Sequence, residues 1–151
     1  MHFIIELEIW VGWFTLRETS FCSVNDGAFL GVFVFITMEV GYRDKEKSLD
    51  NVLIDTGSAS SILKAELVED IGIKLEPEDT IGSVRGVGGS EFVYIKKIDS
   101  LSIGDLNVED FKIDIGEMDY GFDIDVIIGM DFLQRTGAII DLDKGTIGKE
   151  I

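Results

Sequence analysis

The chain has one histidine, one cysteine and one proline in 151 residues, and each scarcity removes a class of chemistry or architecture. The histidine, His2, stands at the extreme amino end, so neither a Ser-His-Asp triad nor a Cys-His pair has a base to work with. Cys22 alone forms no internal disulfide, no CxxC redox pair and no cysteine-rich zinc site, and without a histidine partner it reads as a small buried or half-buried side chain. A single cysteine is compatible with a reducing compartment, and the cytoplasm is the expected location. Basic residues are also scarce: 13 Lys and Arg face 29 Asp and Glu, a formal charge of -16. That balance argues against nucleic acid or an anionic membrane surface as a partner. No apolar run approaches the roughly 20 residues of a membrane-spanning helix. The first 16 residues are apolar but carry Glu6 and Glu8 and lack a basic leader, so they do not read as a signal peptide.

What is present is the composition of a globular domain, with 46% hydrophobic residues and 17 glycines for tight turns. The length suits one domain that buries about 70% of its unfolded surface. Between residues 7 and 13 apolar side chains fall at every second position, Leu7, Ile9, Val11 and Trp13, which predicts a strand. Residues 17–27, RETSFCSVNDG, are polar and turn-rich, with Asn25, Asp26 and Gly27 able to turn, and predict a loop or boundary. Residues 29–40 are rich in β-branched and aromatic types and predict a strand, residues 42–48 a solvated connection, and residues 51–54 the partner strand. The mixed-sign run from Arg43 to Lys47 reads as a wet loop, not a binding patch.

Leu53 and Ile54 run into Asp55, and Thr56, Gly57 and Ser58 then turn the chain. An acid at a strand end has two readings: a group presented for catalysis on a rigid support, or an ordinary strand stop. Residues 60–72 follow with Ile62, Leu63, Leu67 and Ile71 near helical spacing and Gly72 as a stop, predicting a helix of two or three turns. Residues 81–85 and 91–98 flank GVGGS and predict a hairpin with a glycine-rich tip. Further strands are expected at 101–103, 108–115, 125–128, 138–142 and 146–148, with an acidic loop at 117–123 and a helical turn capped by Asp131 and ended by Gly137. The sum is about nine short strands and one or two short helices, a mostly β fold closed or partly closed into a barrel.

Three features stand in order: LIDTGS at 53–58, the glycine-tipped hairpin at 81–95, and DVIIGMDFLQRTGAIIDLDKGTI at 125–147. Together they resemble the retropepsin-like aspartic proteases, the single-domain proteases of retroelements and the related domains of ubiquitin-shuttle and microbial proteins. The resemblance covers about residues 31–147. It implies a single-domain acid-protease barrel over residues 29–151, preceded by an N-terminal extension, residues 1–28, whose role stays open. That extension is an added strand, a propeptide-like segment or upstream sequence, with Met38 as an alternative start.

By this resemblance Asp55 is the catalytic acid, Thr56 and Gly57 complete the signature, and Ser58 contacts the catalytic carboxylate. Ile127, Ile128 and Gly129 form the element packed beneath the catalytic loop, and Asp131 is a helix cap and not a second acid. Gly86, Val87, Gly88 and Gly89 form the flap over an extended peptide. Two carboxylates held close together share a proton, so one activates a water while the other protonates the substrate carbonyl. With one DTG per chain, the implied enzyme is a homodimer whose two Asp55 residues meet on the axis. Thr56 then bonds across the axis and Gly57 permits close approach. Residues 146–151 and a strand upstream of Gly31 knit the subunits in a shared sheet. The implied activity is aspartic-type endopeptidase cleavage of peptide or protein substrates in extended conformation. The alternative is a non-catalytic dimerisation or peptide-binding module with the same fold. No metal or cofactor is expected: the acid groups Asp119, Asp123, Asp125 and Asp141, Asp143, Glu150 lack the spacing and central glycine of a calcium loop.

Overall fold

Alternating burial builds the first wall of the fold. In FITMEV, Ile36, Met38 and Val40 are buried while Thr37 and Glu39 face outward, as a half-buried strand requires. This is strand β3 (Gly31–Tyr42), and β4 (Lys45–Ile54) returns antiparallel to it. The computed structural model describes residues 14–15, 17–22, 31–86, 89–120, 123–143 and 146–150, with side-chain detail from residue 36 onward. The expected strand at 7–13, the turn at Asn25, Asp26 and Gly27, the side chain of Cys22, flap residues Val87 and Gly88, and the turn residues Lys144 and Gly145 lie outside that description.

The connection expected across residues 42–48 is a two-residue turn. Tyr42 already pairs with Lys45, and Arg43 and Asp44 both take positive φ, 47° and 62°, the arrangement whose twist suits a tight hairpin. The turn is tied down, since Arg43 bonds Glu76 and Lys47 bonds Asp70 at 2.6 Å.

Beyond β4 the chain forms β5 (Ile62–Lys64), helix α1 (Ala65–Val68), a 3-10 turn (Glu69–Ile71), β6 (Thr80–Gly86), β7 (Gly89–Ile103), β8 (Leu106–Gly116), β9 (Val126–Ile128) and α2 (Met130–Thr136). The helix expected over residues 60–72 is therefore shorter than its periodicity suggested. Ile62 and Leu63 are both buried because β5 pairs with β8 on one side and β9 on the other. A short apolar run buried on both faces does not show strand alternation.

Six strands close in the order β3-β4-β9-β5-β8-β7 and back to β3, a mostly β barrel with two short helices. Its interior is a continuous apolar core that includes Met38, Leu63, Ile98, Leu101, Ile113 and Phe132. Strand β2 (Arg17–Cys22) stands where a loop was expected, because this polar stretch pairs antiparallel with β3 and extends the sheet there, and β6 extends it beside β7. In β8 the inward positions change parity, from Leu106 and Val108 to Phe111, Ile113 and Ile115. The change falls at Asp110, at φ 51°, and β7 changes parity opposite it, so the register is kept: Ile98 faces Phe111 and Ser100 faces Glu109.

A separate three-stranded sheet has the order β1 (Phe14–Thr15), β11 (Thr146–Gly148), β10 (Ile139–Asp141). Both edges of β11 are thus taken within one chain, Thr146 pairing with Thr15 on one side and Asp141 on the other. The strand expected to knit two subunits has no open edge, because its short connection to β10 folds it back locally.

Lys96 is the buried charge of the barrel wall, only 3% exposed. Its ammonium bonds Asp79 and Glu76, each at 2.7 Å, and the Lys74 carbonyl at 2.9 Å, holding the segment before β6 against β7. The Lys96 bond lowers the Glu76 carboxyl; burial pushes the Asp79 carboxyl up, but its bonds to Lys96 and the Glu76 N–H outweigh that and leave it lowered. Lowered carboxyls stabilise the fold above their ordinary pKa of about 4 and lose that contribution as pH falls through their folded values. We expect the denaturation midpoint to fall with pH below about 4. Lys96→Met should flatten that dependence and cost about 3 kcal/mol at neutral pH, read by chemical denaturation, since it takes the buried cation from Asp79 and leaves that acid beside Glu76, which keeps its exposed pair with Arg43.

Candidate active site

The parallel pairing of β4 with β9 delivers Asp55 to the end of its strand. Leu53 lies beside Ile127 and Ile54 beside Ile128, and the Asp55 N–H then donates to the Ile128 carbonyl at 2.9 Å. Asp55 is half-buried, while Thr56 and Gly57 are exposed at the tip. The Gly57 N–H donates to Asp55 Oδ1 at 2.9 Å, and the Ser58 N–H closes the turn on the Asp55 carbonyl at 3.1 Å. Ser58 does not meet the carboxylate as expected: its hydroxyl donates to the Ser60 carbonyl at 2.8 Å. The backbone turn brings Gly57 to the acid instead.

Beneath the turn, the loop is stitched to the segment after β9. Met130 N–H donates to the Ser58 carbonyl at 2.8 Å and Asp131 N–H to the Ala59 carbonyl at 3.2 Å. Gly129 N–H donates to Ser61 Oγ at 3.0 Å, and that hydroxyl donates onward to Asp131 Oδ1 at 2.7 Å. Asp131 also accepts the Ser61 N–H at 3.0 Å and the Phe132 N–H at 2.8 Å. Asp131 is therefore not the cap expected from sequence. Gly129 takes the cap position without a side-chain bond, and Asp131, in the first turn of α2, reaches across to Ser61. Gly129 is required by space: a Cβ there would stand 2.6 Å from the Ser60 carbonyl oxygen.

Ser60 adds a second tie, donating from its hydroxyl to Asp114 Oδ2 of β8 at 2.8 Å. Burial pushes the Asp114 carboxyl up, the Ser60 bond opposes this, and nearby Asp131 adds to it. Sequence reading missed Ser60, Ser61 and Asp114 as parts of this network, since their partners lie 54 to 70 residues away. The sole advance signal was a pair of serines behind the DTG turn.

The hairpin of β6 and β7 closes at Gly86 opposite Gly89, with Gly89 at φ 124°. Its stem meets the strands around Asp55 in a second apolar cluster. Val93 packs there with Leu53, Ile62, Met118 and Ile124, and Val84 and Ile127 lie against them. A groove of about 840 Å³ adjoins this cluster at Met118, and Lys64, Glu66, Glu69, Glu117, Asp119 and Asp123 line it. The structure thus brings Asp55, Thr56, Gly57, Ser58, Ile127, Ile128 and Gly129 together.

Ser61 is fully buried, so Ser61→Ala strands the Gly129 N–H and removes one of the two donors to Asp131 Oδ1, which keeps the Phe132 N–H. We expect a loss of about 1–3 kcal/mol in chemical denaturation. Gly129→Ala should cost more, because the obstacle is backbone.

A family model described as aspartyl protease matches residues 39–132. The chain is 30% identical over 123 residues to the UBA domain-containing protein Mud1 of Schizosaccharomyces pombe, covering 78% of this chain and 34% of that protein. It is 29% identical over 125 residues to the DNA damage-inducible protein 1 of Neurospora crassa, covering 78% of this chain and 27% of that protein. The chain thus spans about a third or less of these relatives' length. Among solved structures, a retropepsin-like aspartic protease from Rickettsia conorii matches with a TM-score of 0.54 at 22% identity, over 77% of this chain and 80% of that one. The barrel therefore has the retropepsin-like fold, and the chain belongs to the aspartyl protease family.

Proposed function

We propose that this protein is a homodimeric aspartic endopeptidase in which Asp55 from each of two copies holds the attacking water. The observation that carries the proposal is the mounting of Asp55: a half-exposed carboxylate at a strand end, on a loop stitched from below by backbone bonds and the Ser61 hydroxyl. One such loop per chain supplies half a dyad. In the pair, an ionised carboxylate takes a proton from water as its oxygen attacks the peptide carbonyl carbon, and the protonated partner gives its proton to the carbonyl oxygen. Collapse of the tetrahedral species breaks the C–N bond, and the leaving amine takes a proton. Thr56 and Gly57 lie exposed at the tip, where a second copy would meet them, and Gly86 to Gly89 make the flap over an extended peptide.

The occupied edges of β11 favour a different joint between copies from the one its terminal position suggests. β10 is an edge strand among the described residues, and Ile139 and Leu142 at that edge are 40% and 82% exposed. Packing of this edge against its own copy about a two-fold axis covers these side chains.

Asp55→Asn should lower peptide cleavage about 10³-fold or more while the mass in solution stays that of the parent dimer. The assay is a diverse peptide pool from acidic to neutral pH with a pepstatin-type control; inhibitor-insensitive cleavage, or an unaffected Asp55→Asn variant, sinks the mechanism. Binding without cleavage in the parent favours a non-catalytic module. Leu142→Asp combined with Ile139→Asp should give a folded monomer by light scattering and lose cleavage; an unchanged dimer would rule out the β10 joint.

A further inference from the structure

The ladder between β7 and β8 ends at Tyr94 opposite Ile115, and beyond it the two chains separate toward the hairpin tip and the acidic loop. Glu91 spans that gap. It projects from the same face of β7 as Val93, the face that enters the apolar cluster beside Asp55. Its carboxylate accepts the Met118 N–H at 2.7 Å through Oε1 and the Tyr120 hydroxyl at 2.6 Å through Oε2. Gly116 leaves the room for this reach, since a Cβ there would lie 2.7 Å from Glu91 Oε1.

Met118 is the residue that this bond holds in place. It takes φ 55°, a left-handed conformation unusual for a non-glycine residue, which persists where the surroundings enforce it. Its side chain is 1% exposed and packs with Leu53, Ile62, Val93 and Ile124, next to the strand that ends in Asp55.

We infer that Glu91 is a positioning residue that couples the glycine-tipped hairpin to the segment of residues 117–120, so that these two walls beside Asp55 move as one unit. The coupling concerns the folded chain itself. Its catalytic consequence alone rests on the endopeptidase reading.

Backbone hydrogen exchange on the full, unliganded chain tests the coupling with Glu91→Ala, Glu91→Gln and Tyr120→Phe. Glu91→Ala should speed exchange about tenfold or more both at residues 118–120 and at residues 89–93, with β3 and β4 unchanged. Glu91→Gln, whose amide oxygen still accepts the Met118 N–H, should restore most of the protection. Acceleration confined to residues 118–120 overturns the coupling. If Glu91→Ala loosens the whole fold, the milder Tyr120→Phe decides: faster exchange in the hairpin supports the coupling and an unchanged hairpin overturns it. With a cleavable peptide, Glu91→Ala should raise KM about fivefold or more with kcat within about twofold, and Glu91→Gln should stay near the parent. A fall in kcat at constant KM would overturn the positioning role. If the parent itself cleaves nothing, the endopeptidase reading fails while the exchange result stands.

Discussion

A buried hydroxyl decides whether Asp55 can be held where it is. Two chain segments meet beneath the acid, the turn after β4 and the turn after β9, and each arrives with backbone groups that no ladder satisfies. Ser61, fully buried, serves both: its oxygen accepts the Gly129 N–H and its proton goes to Asp131. A hydroxyl is suited to this because it donates and accepts at one atom. Once that joint is made, β9 is fixed between β4 and β5, and its three residues set the height of Asp55 through the Ile128 carbonyl. The absence of a Cβ at Gly129 is part of the same constraint, since the two backbones approach closer than any side chain allows.

Local pattern explains what was legible in the sequence, and distance in the chain explains most of what was not. Alternation in β3 is visible because the strand buries one face, and the switch of the inward face at Asp110 shows as a change of parity in LNVEDFKIDI. The DTG turn and the paired isoleucines with Gly129 announced themselves as a family pattern. The strand at Ile62 and Leu63 did not, because burial on both faces erases the period that separates strand from helix. Asp131 was misread for a related reason. An acid before an apolar run looks like a cap, and nothing local reveals a serine 70 residues away that claims it. The β10–β11 hairpin was read as two strands, yet which of them lies at the centre of the described sheet depended on β1, at the other end of the described chain.

Charge is distributed with similar economy. Five of the cations are committed to ion pairs within the chain: Lys96 to Asp79 and Glu76, Lys47 to Asp70, Arg43 to Glu76, Lys64 to Glu66 and Lys97 to Asp110. What remains is an acidic excess facing solvent, which repels a second copy at long range. At physiological ionic strength that repulsion is screened beyond about 8 Å. Any attraction between copies must therefore be short-ranged, from backbone pairing and apolar contact, and the exposed Ile139 and Leu142 at the β10 edge are of that kind.

The surroundings of Asp55 divide into two mechanical regimes. Its floor is held by backbone bonds from residues 129–131 and by buried groups, arrangements that yield only when the barrel does. Its wall, the hairpin stem and the residues around Met118, is apolar contact joined by a side-chain carboxylate, Glu91, with no ladder beyond Tyr94 and Ile115. The proposed cleavage of an extended peptide calls for a fixed acid and an admitted polymer, and this asymmetry would serve both. Positional error at the acid is costly in rate, whereas a peptide enters only if something beside the acid gives way. Placing the weaker tie on a side chain, at the end of a ladder, lets the wall move without loosening the strands that aim Asp55.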